Sequence, residues 1–84
     1  MVTRKIEIKI STGLEARPVA LLVQVASRYE SSIYIECEDK KVNAKSIMGM
    51  MSLGISVGEV VVVTASGADE EEAVDAIEKY LSSN

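Results

Sequence analysis

The sequence predicts an α+β fold, an open-faced β-sandwich in which three helices cover one face of a four-stranded antiparallel sheet. Segments that alternate between apolar and polar residues, as half-buried strands do, are separated by segments with apolar residues at helical spacing. The predicted order is strand, helix, strand, strand, helix, strand, helix (βαββαβα), with short connections. Strands with one polar face leave a single apolar face for helices to cover.

The strands are predicted from alternation with a period of two, and the first is expected over residues 5–10. In chain order, the inward-facing residues are predicted to be Ile6, Ile8 and Ile10; Ile33, Ile35 and Cys37; Val42; and Val61, Val63 and Ala65. Because a lone cysteine forms neither an internal disulfide nor a zinc site, Cys37 is interpreted as a small core residue.

The first and last helices are predicted from start signals and apolar stripes. The first begins at Ala16 with Pro18 in its first turn, and the last begins at Asp69, which is expected to form a capping box with Glu72. The acidic run of residues 70–72 is interpreted as complementing the helix dipole, not as a metal site. The buried stripes are predicted to be Val19, Leu22, Val23 and Ala26 in the first helix, and Ala73, Ile77, Tyr80 and Leu81 in the last.

The short middle helix is more informative. Ser46 is predicted to be its N-cap, with Gly54 as the stop signal after its end. Met50 and Leu53 are expected to face the core. This assignment leaves a methionine-rich set facing outward: Ile47, Met48 and Met51. An exposed apolar patch on a small domain is typical of a contact surface.

The outer face of the first helix has a mixed character. It carries Arg17, Leu21, Gln24 and Arg28 at helical spacing. Two interpretations stay open for it: a docking face with basic rims, or the scattered apolar exposure that ordinary surfaces show.

Composition limits the class of protein. With 84 residues, 48% of them hydrophobic, the chain is predicted to form a single domain over residues 1–84. Nine basic and 13 acidic residues give a net charge of −4, which argues against direct binding of nucleic acid. The start MVTRKIEIKI lacks the apolar core of a secretory signal, and no apolar run is long enough to span a membrane. A cytoplasmic protein with no metal and no cofactor is expected.

Two segments resemble the HPr family, the histidine-containing phosphocarriers of bacterial sugar phosphotransferase systems. They are GLEARP at residues 13–18 and VNAKSIMGMMSLG at residues 42–54, supported by SGADEEEA at residues 66–73. The resemblance covers essentially the whole chain and implies the same βαββαβα fold. The second segment is similar to the version found in low-GC Gram-positive bacteria.

The chain departs from the family at its phosphocarrier position. The family pattern there is G-[LI]-H-A-R-P, but this sequence has Glu15 and contains no histidine. Three interpretations of Glu15 stay open: an anion filling the old phosphate niche, a mimic of the phosphorylated histidine, or an acceptor that forms an acyl phosphate. The resemblance is therefore closest to the family's catabolite-repression paralogues, which lack the histidine but generally have glutamine in its place.

The resemblance also implies a regulatory role that needs no catalysis by this chain. A bifunctional HPr kinase/phosphorylase would phosphorylate Ser46, and the product would act as corepressor with a LacI-type regulator, catabolite control protein A. The implied contact residues are Arg17, Leu21, Gln24, Ile47, Met48 and Met51.

Four alternatives stay open: a phosphocarrier that uses Glu15, an HPr-like regulator of a metabolic enzyme, a divergent HPr paralogue of unassigned role, and an assembly domain in which Ser46 is only a helix cap. The oligomeric state is also open between a monomer and a dimer that exchanges its first strand, with the STGLEA segment as the hinge.

Overall fold

The computed structural model describes residues 1–10 and 16–82, and in them the predicted α+β fold is confirmed. The elements are β1 (Val2–Glu7), α1 (Ala16–Ser27), β2 (Ser32–Cys37), β3 (Lys40–Asn43), α2 (Ile47–Met51), β4 (Val60–Ser66) and α3 (Glu70–Leu81). The four strands form one antiparallel sheet in the order β1-β4-β2-β3. None of the helices that the structure describes is long and apolar enough to cross a membrane.

The first strand lies earlier in the chain than predicted. β1 pairs with β4 from Val2 to Glu7 and does not continue to Ile10. Beyond Glu7 the backbone forms hydrogen bonds outside the strand pairing. The N–H of Ile8 donates to the carbonyl of Glu59 at 2.8 Å, and that of Lys9 donates to the carbonyl of Leu81 at 2.9 Å. The alternation still gave the correct faces, because Ile8 is buried although it lies outside the strand.

The core lies between the sheet and the helices. The predicted inward-facing residues are buried, except Ile10, Cys37, Val42, Leu53 and Tyr80, which are partly buried and pack against the core. Burial raises the pKa of the Cys37 thiol, and so does the hydrogen bond that its Sγ donates to Glu59. The structure adds Val74, Ala44 and Ile55 to the core. Arg4 joins β1 to α3 through ion pairs with Asp75 and Glu78, at 2.6 and 2.8 Å.

The predicted capping box at α3 is wrong. Asp69 occupies the N-cap position, but its side chain makes no capping hydrogen bond. Its carboxylate accepts the N–H groups of Glu30 and Ser31, at 2.9 and 3.0 Å, and the Ser31 hydroxyl. In the loop before α3, the N–H of Gly67 donates instead to the Glu70 carboxylate, at 3.1 Å. Asp69 therefore joins the loop before β2 to the loop before α3.

Gly67 lies against the same loop. Its φ is +155°, and a Cβ at this position would lie 2.6 Å from Ser31 Oγ and 2.7 Å from Ser31 Cα. Because Ser31 is buried, neither atom has room to retreat. Both the backbone conformation and the close approach therefore require glycine.

We expect Gly67→Ala to lower the free energy of unfolding by more than the ~1–3 kcal/mol typical of backbone strain, since it also displaces Ser31. The matched control is Gly58→Ala, where φ is +92° and nothing lies within 4 Å, so only the backbone strain applies. Urea denaturation of both variants measures the difference. Equal losses would show that the contact with Ser31 contributes nothing.

We also expect the Asp69 cluster to make stability depend on acid pH. The Ser31 hydroxyl, and then the N–H groups of Glu30 and Ser31, hold the pKa of the Asp69 carboxyl below its usual value. A carboxyl with a lowered folded-state pKa stabilises the fold above its unfolded pKa, about 3.9. This contribution is lost as the pH falls through the folded-state pKa.

The thermal midpoint of Asp69→Asn should accordingly be lower than that of the wild type at pH 7, and the gap should narrow toward pH 2. Glu72→Gln is the control. Glu72 is the predicted partner of Asp69 in the capping box, but its side chain is exposed. A larger loss in Glu72→Gln than in Asp69→Asn would contradict the role assigned to the Asp69 carboxylate.

Candidate functional site

Ser46 caps α2, as predicted. Its φ and ψ are −108° and 114°, and its Oγ accepts the N–H of Gly49 at 3.2 Å. The side chain is exposed to solvent. A hydroxyl in this position is both a helix cap and a group that another protein can reach.

The turn before Ser46 is held by contacts that sequence reasoning missed. The Oδ1 of Asn43 accepts the N–H of Lys45 at 2.8 Å, and its carbonyl accepts the N–H of Ser46 at 3.0 Å. The Lys45 ammonium donates to the carbonyl of Tyr29, just beyond the end of α1, at 2.7 Å. An asparagine whose side chain accepts the N–H of the residue two positions later is a turn signal that the sequence could have shown. No local sequence pattern indicates the contact of Lys45 with Tyr29.

The α2 methionines divide between core and surface as predicted. Met50 is 0% exposed and packs in the core, whereas Met48 is 85% exposed. Ile47 and Met51 are also exposed, at 47% and 50%. Leu53 is partly buried against the core. One side of a five-residue helix thus anchors it, and the other presents apolar side chains to solvent.

α1 packs against α2 and presents an outer face of its own. Leu21 is 43% exposed, and Arg17, Gln24 and Arg28 are also exposed. The structure therefore leaves all six predicted contact residues open to solvent on two helices that pack on each other: Arg17, Leu21, Gln24, Ile47, Met48 and Met51. We call this set the α1/α2 surface.

Glu15 lies outside the described residues, so the three interpretations of its role stay predictions. The first described element after it in the sequence is α1, near whose start the Tyr80 hydroxyl donates to the carbonyl of Pro18 at 2.9 Å. Burial raises the pKa of Tyr80. Across the described part of the chain, no group of three or more His, Cys, Asp or Glu side chains is arranged to hold a metal ion.

The sequence matches a family model over residues 2–83, and the model is described as the PTS HPr component phosphorylation site. The chain belongs to the HPr family. It is 51% identical to the HPr-like protein Crh of Bacillus subtilis (strain 168) over 81 residues, which cover 96% of this chain and 95% of that protein.

Two solved HPr-family structures show the same fold. The crystal structure of a phosphocarrier protein HPr from Bacillus anthracis has a TM-score of 0.93 and 46% identity, covering 95% of both chains. A crystal structure of Crh from Bacillus subtilis has a TM-score of 0.78 and 51% identity, covering 96% of this chain and 93% of that one. That Crh structure is described as a dimer with a swapped domain. This chain is thus an HPr-family regulatory protein similar to Crh, in a family of phosphocarriers.

Proposed function

We propose that this HPr-family protein is a cytoplasmic regulator of carbon catabolite repression, switched by phosphorylation of Ser46. The bifunctional HPr kinase/phosphorylase transfers the phosphoryl group from ATP, and the modified protein acts as corepressor with a LacI-type catabolite control protein A. The observation that carries the proposal is an exposed Ser46 hydroxyl at the start of a helix that also presents exposed methionines.

The exposure of Ser46 supports its role as the acceptor. The hydroxyl oxygen accepts one hydrogen bond, from Gly49, and keeps a second lone pair for reaction. The backbone around it is fixed by hydrogen bonds to Asn43 and from Met50. The serine is therefore presented to a kinase in one backbone conformation, on a folded surface.

The α1/α2 surface supports docking of a partner at the same place. Met48 and Met51 are flexible and polarisable, which suits a surface that must fit both a kinase and a repressor. Phosphorylation adds about 1.5 to 2 negative charges and three acceptor oxygens beside these apolar side chains. Arg17 is available to pair with that charge or with a carboxylate of the partner.

We further propose that the chain has lost phosphocarrier activity and is not an enzyme. The family carries the phosphoryl group on a histidine, and this sequence has none. A carboxylate at Glu15 would form an acyl phosphate, with an acceptor geometry and lability different from those of a phosphorylated imidazole. The protein then acts through binding alone.

The assembly is proposed to be a monomer that is able to exchange its first strand with a second copy. The support is the swapped dimer of Crh and the place of β1 at the edge of the sheet, where one side of the strand has no neighbour among the described strands.

We expect incubation with ATP and an HPr kinase/phosphorylase to add one phosphoryl group to the wild-type protein, seen by intact mass. Ser46→Ala should abolish the mass increase. Ser52→Ala is the matched control, because Ser52 is an exposed serine at the other end of α2 and its loss should leave the increase unchanged. Phosphoenolpyruvate with the general phosphotransferase enzyme should give no increase. Modification of Ser46→Ala, or transfer from phosphoenolpyruvate, would refute the proposed function.

We expect the phosphorylated form to bind the repressor about 10- to 100-fold more tightly than the unmodified form. This range follows from a charge-assisted hydrogen bond worth roughly 1.5 to 3 kcal/mol. Titration of the repressor with both forms at fixed salt measures it. Met48→Asp should weaken binding of the phosphorylated form, whereas Val60→Asp, on the solvent-facing side of the sheet, should not. Equal affinities of the two wild-type forms would mean that Ser46 is only a helix cap.

A further inference from the structure

Gly49 lies inside α2, where glycine is a poor choice for stability. Among the described glycines, those with positive φ are Gly54, Gly58 and Gly67, so the backbone at Gly49 does not require glycine. In a helix interior, alanine is the better helix former. The glycine at this position therefore needs an explanation other than backbone conformation.

The space beside Gly49 supplies one. A Cβ at this position would lie 3.5 Å from Val42 Cβ and 3.5 Å from Ser46 Cβ, which are ordinary van der Waals contacts. It would lie 3.3 Å from Ser46 Oγ, which is tighter than nine in ten contacts of real Cβ atoms, so the hydroxyl would have to move by a few tenths of an ångström. Of these three atoms, the hydroxyl oxygen of Ser46 is the one that a methyl group would crowd.

Ser46 has little freedom to move away. Its N–H donates to the Asn43 carbonyl at 3.0 Å, and its own carbonyl accepts the N–H of Met50 at 2.9 Å. The preceding residue, Lys45, is tied to Asn43 through its N–H and to Tyr29 through its ammonium group. A methyl group at position 49 would therefore turn the Ser46 side chain and leave the backbone in place.

We infer that Gly49 is a positioning residue for phosphorylation, because it keeps the space beside Ser46 Oγ open for the incoming phosphoryl group. This inference rests on the proposed function. In the transfer, a lone pair of Oγ forms a bond to the γ-phosphorus of ATP while the bond from that phosphorus to the β–γ bridging oxygen breaks. ADP leaves, and the hydroxyl proton passes to a base of the kinase. The new phosphate brings three oxygens into the space that a methyl group would partly fill.

The test compares the wild type with Gly49→Ala as substrates of the kinase, with rates measured below the thermal midpoint of each protein. We expect kcat for Gly49→Ala to fall about tenfold or more, since a small misplacement of a reacting atom has large effects on rate. KM should change much less, because the docking side chains are unaltered. The thermal midpoint should change little, because the better helix propensity of alanine offsets the weaker cap that a turned Ser46 side chain provides.

Two further variants show which contact slows the phosphorylation of Gly49→Ala. Val42→Ala alone should be phosphorylated like the wild type, and Val42→Ala/Gly49→Ala should stay as slow as Gly49→Ala, because the conflict is with the hydroxyl. Recovery in the double variant would place the conflict at Val42 and overturn the inference. A wild-type kcat for Gly49→Ala would also overturn it while leaving the proposed function intact. Absence of phosphorylation in the wild-type protein would overturn the proposed function itself, and this inference with it.

Discussion

Burial of Met50 is the contact on which the candidate site depends. α2 has only five residues, too few for a helix to be stable on its own in water. Met50 is 0% exposed and fixes the helix to the core, while the buried Ala44 donates its N–H to the carbonyl of Ile33 and fixes the turn before it. Ser46 lies between these two anchors. Packing against the core, more than helix propensity, therefore holds α2 and its exposed side chains in place.

The position of the site follows from the architecture of the sheet. An antiparallel sheet with one apolar face needs helices on that face only, and each helix then keeps an outer face in solvent. α1 and α2 pack against each other and turn both outer faces outward. A protein that contacted these outer faces would touch two helices without disturbing the core. Substitutions at the exposed positions would therefore leave the core residues unchanged.

The chain differs from the HPr pattern at the one residue that defines phosphocarrier chemistry, Glu15, while the segment at residues 42–54 resembles the family. Ser46 caps α2, and Asn43 holds the turn before it. Among the described residues, the hydrogen bonds of this turn involve Asn43, Lys45 and Tyr29. The substitution at residue 15 and an intact cap at Ser46 thus occur together in this chain.

The sequence by itself determined which faces are buried and where α2 is capped. Both depend on local geometry: a period of two or 3.6 residues orients side chains wherever the strand or helix lies, and the Ser46 cap spans three residues. Only the tertiary structure decided the partner of Asp69. Its local capping role was predicted, but donors from Glu30 and Ser31, 39 and 38 residues away, occupy the carboxylate instead. The extent of β1 and the contact of Lys45 with Tyr29 likewise depend on which distant segments meet, and local periodicity carries no information about that.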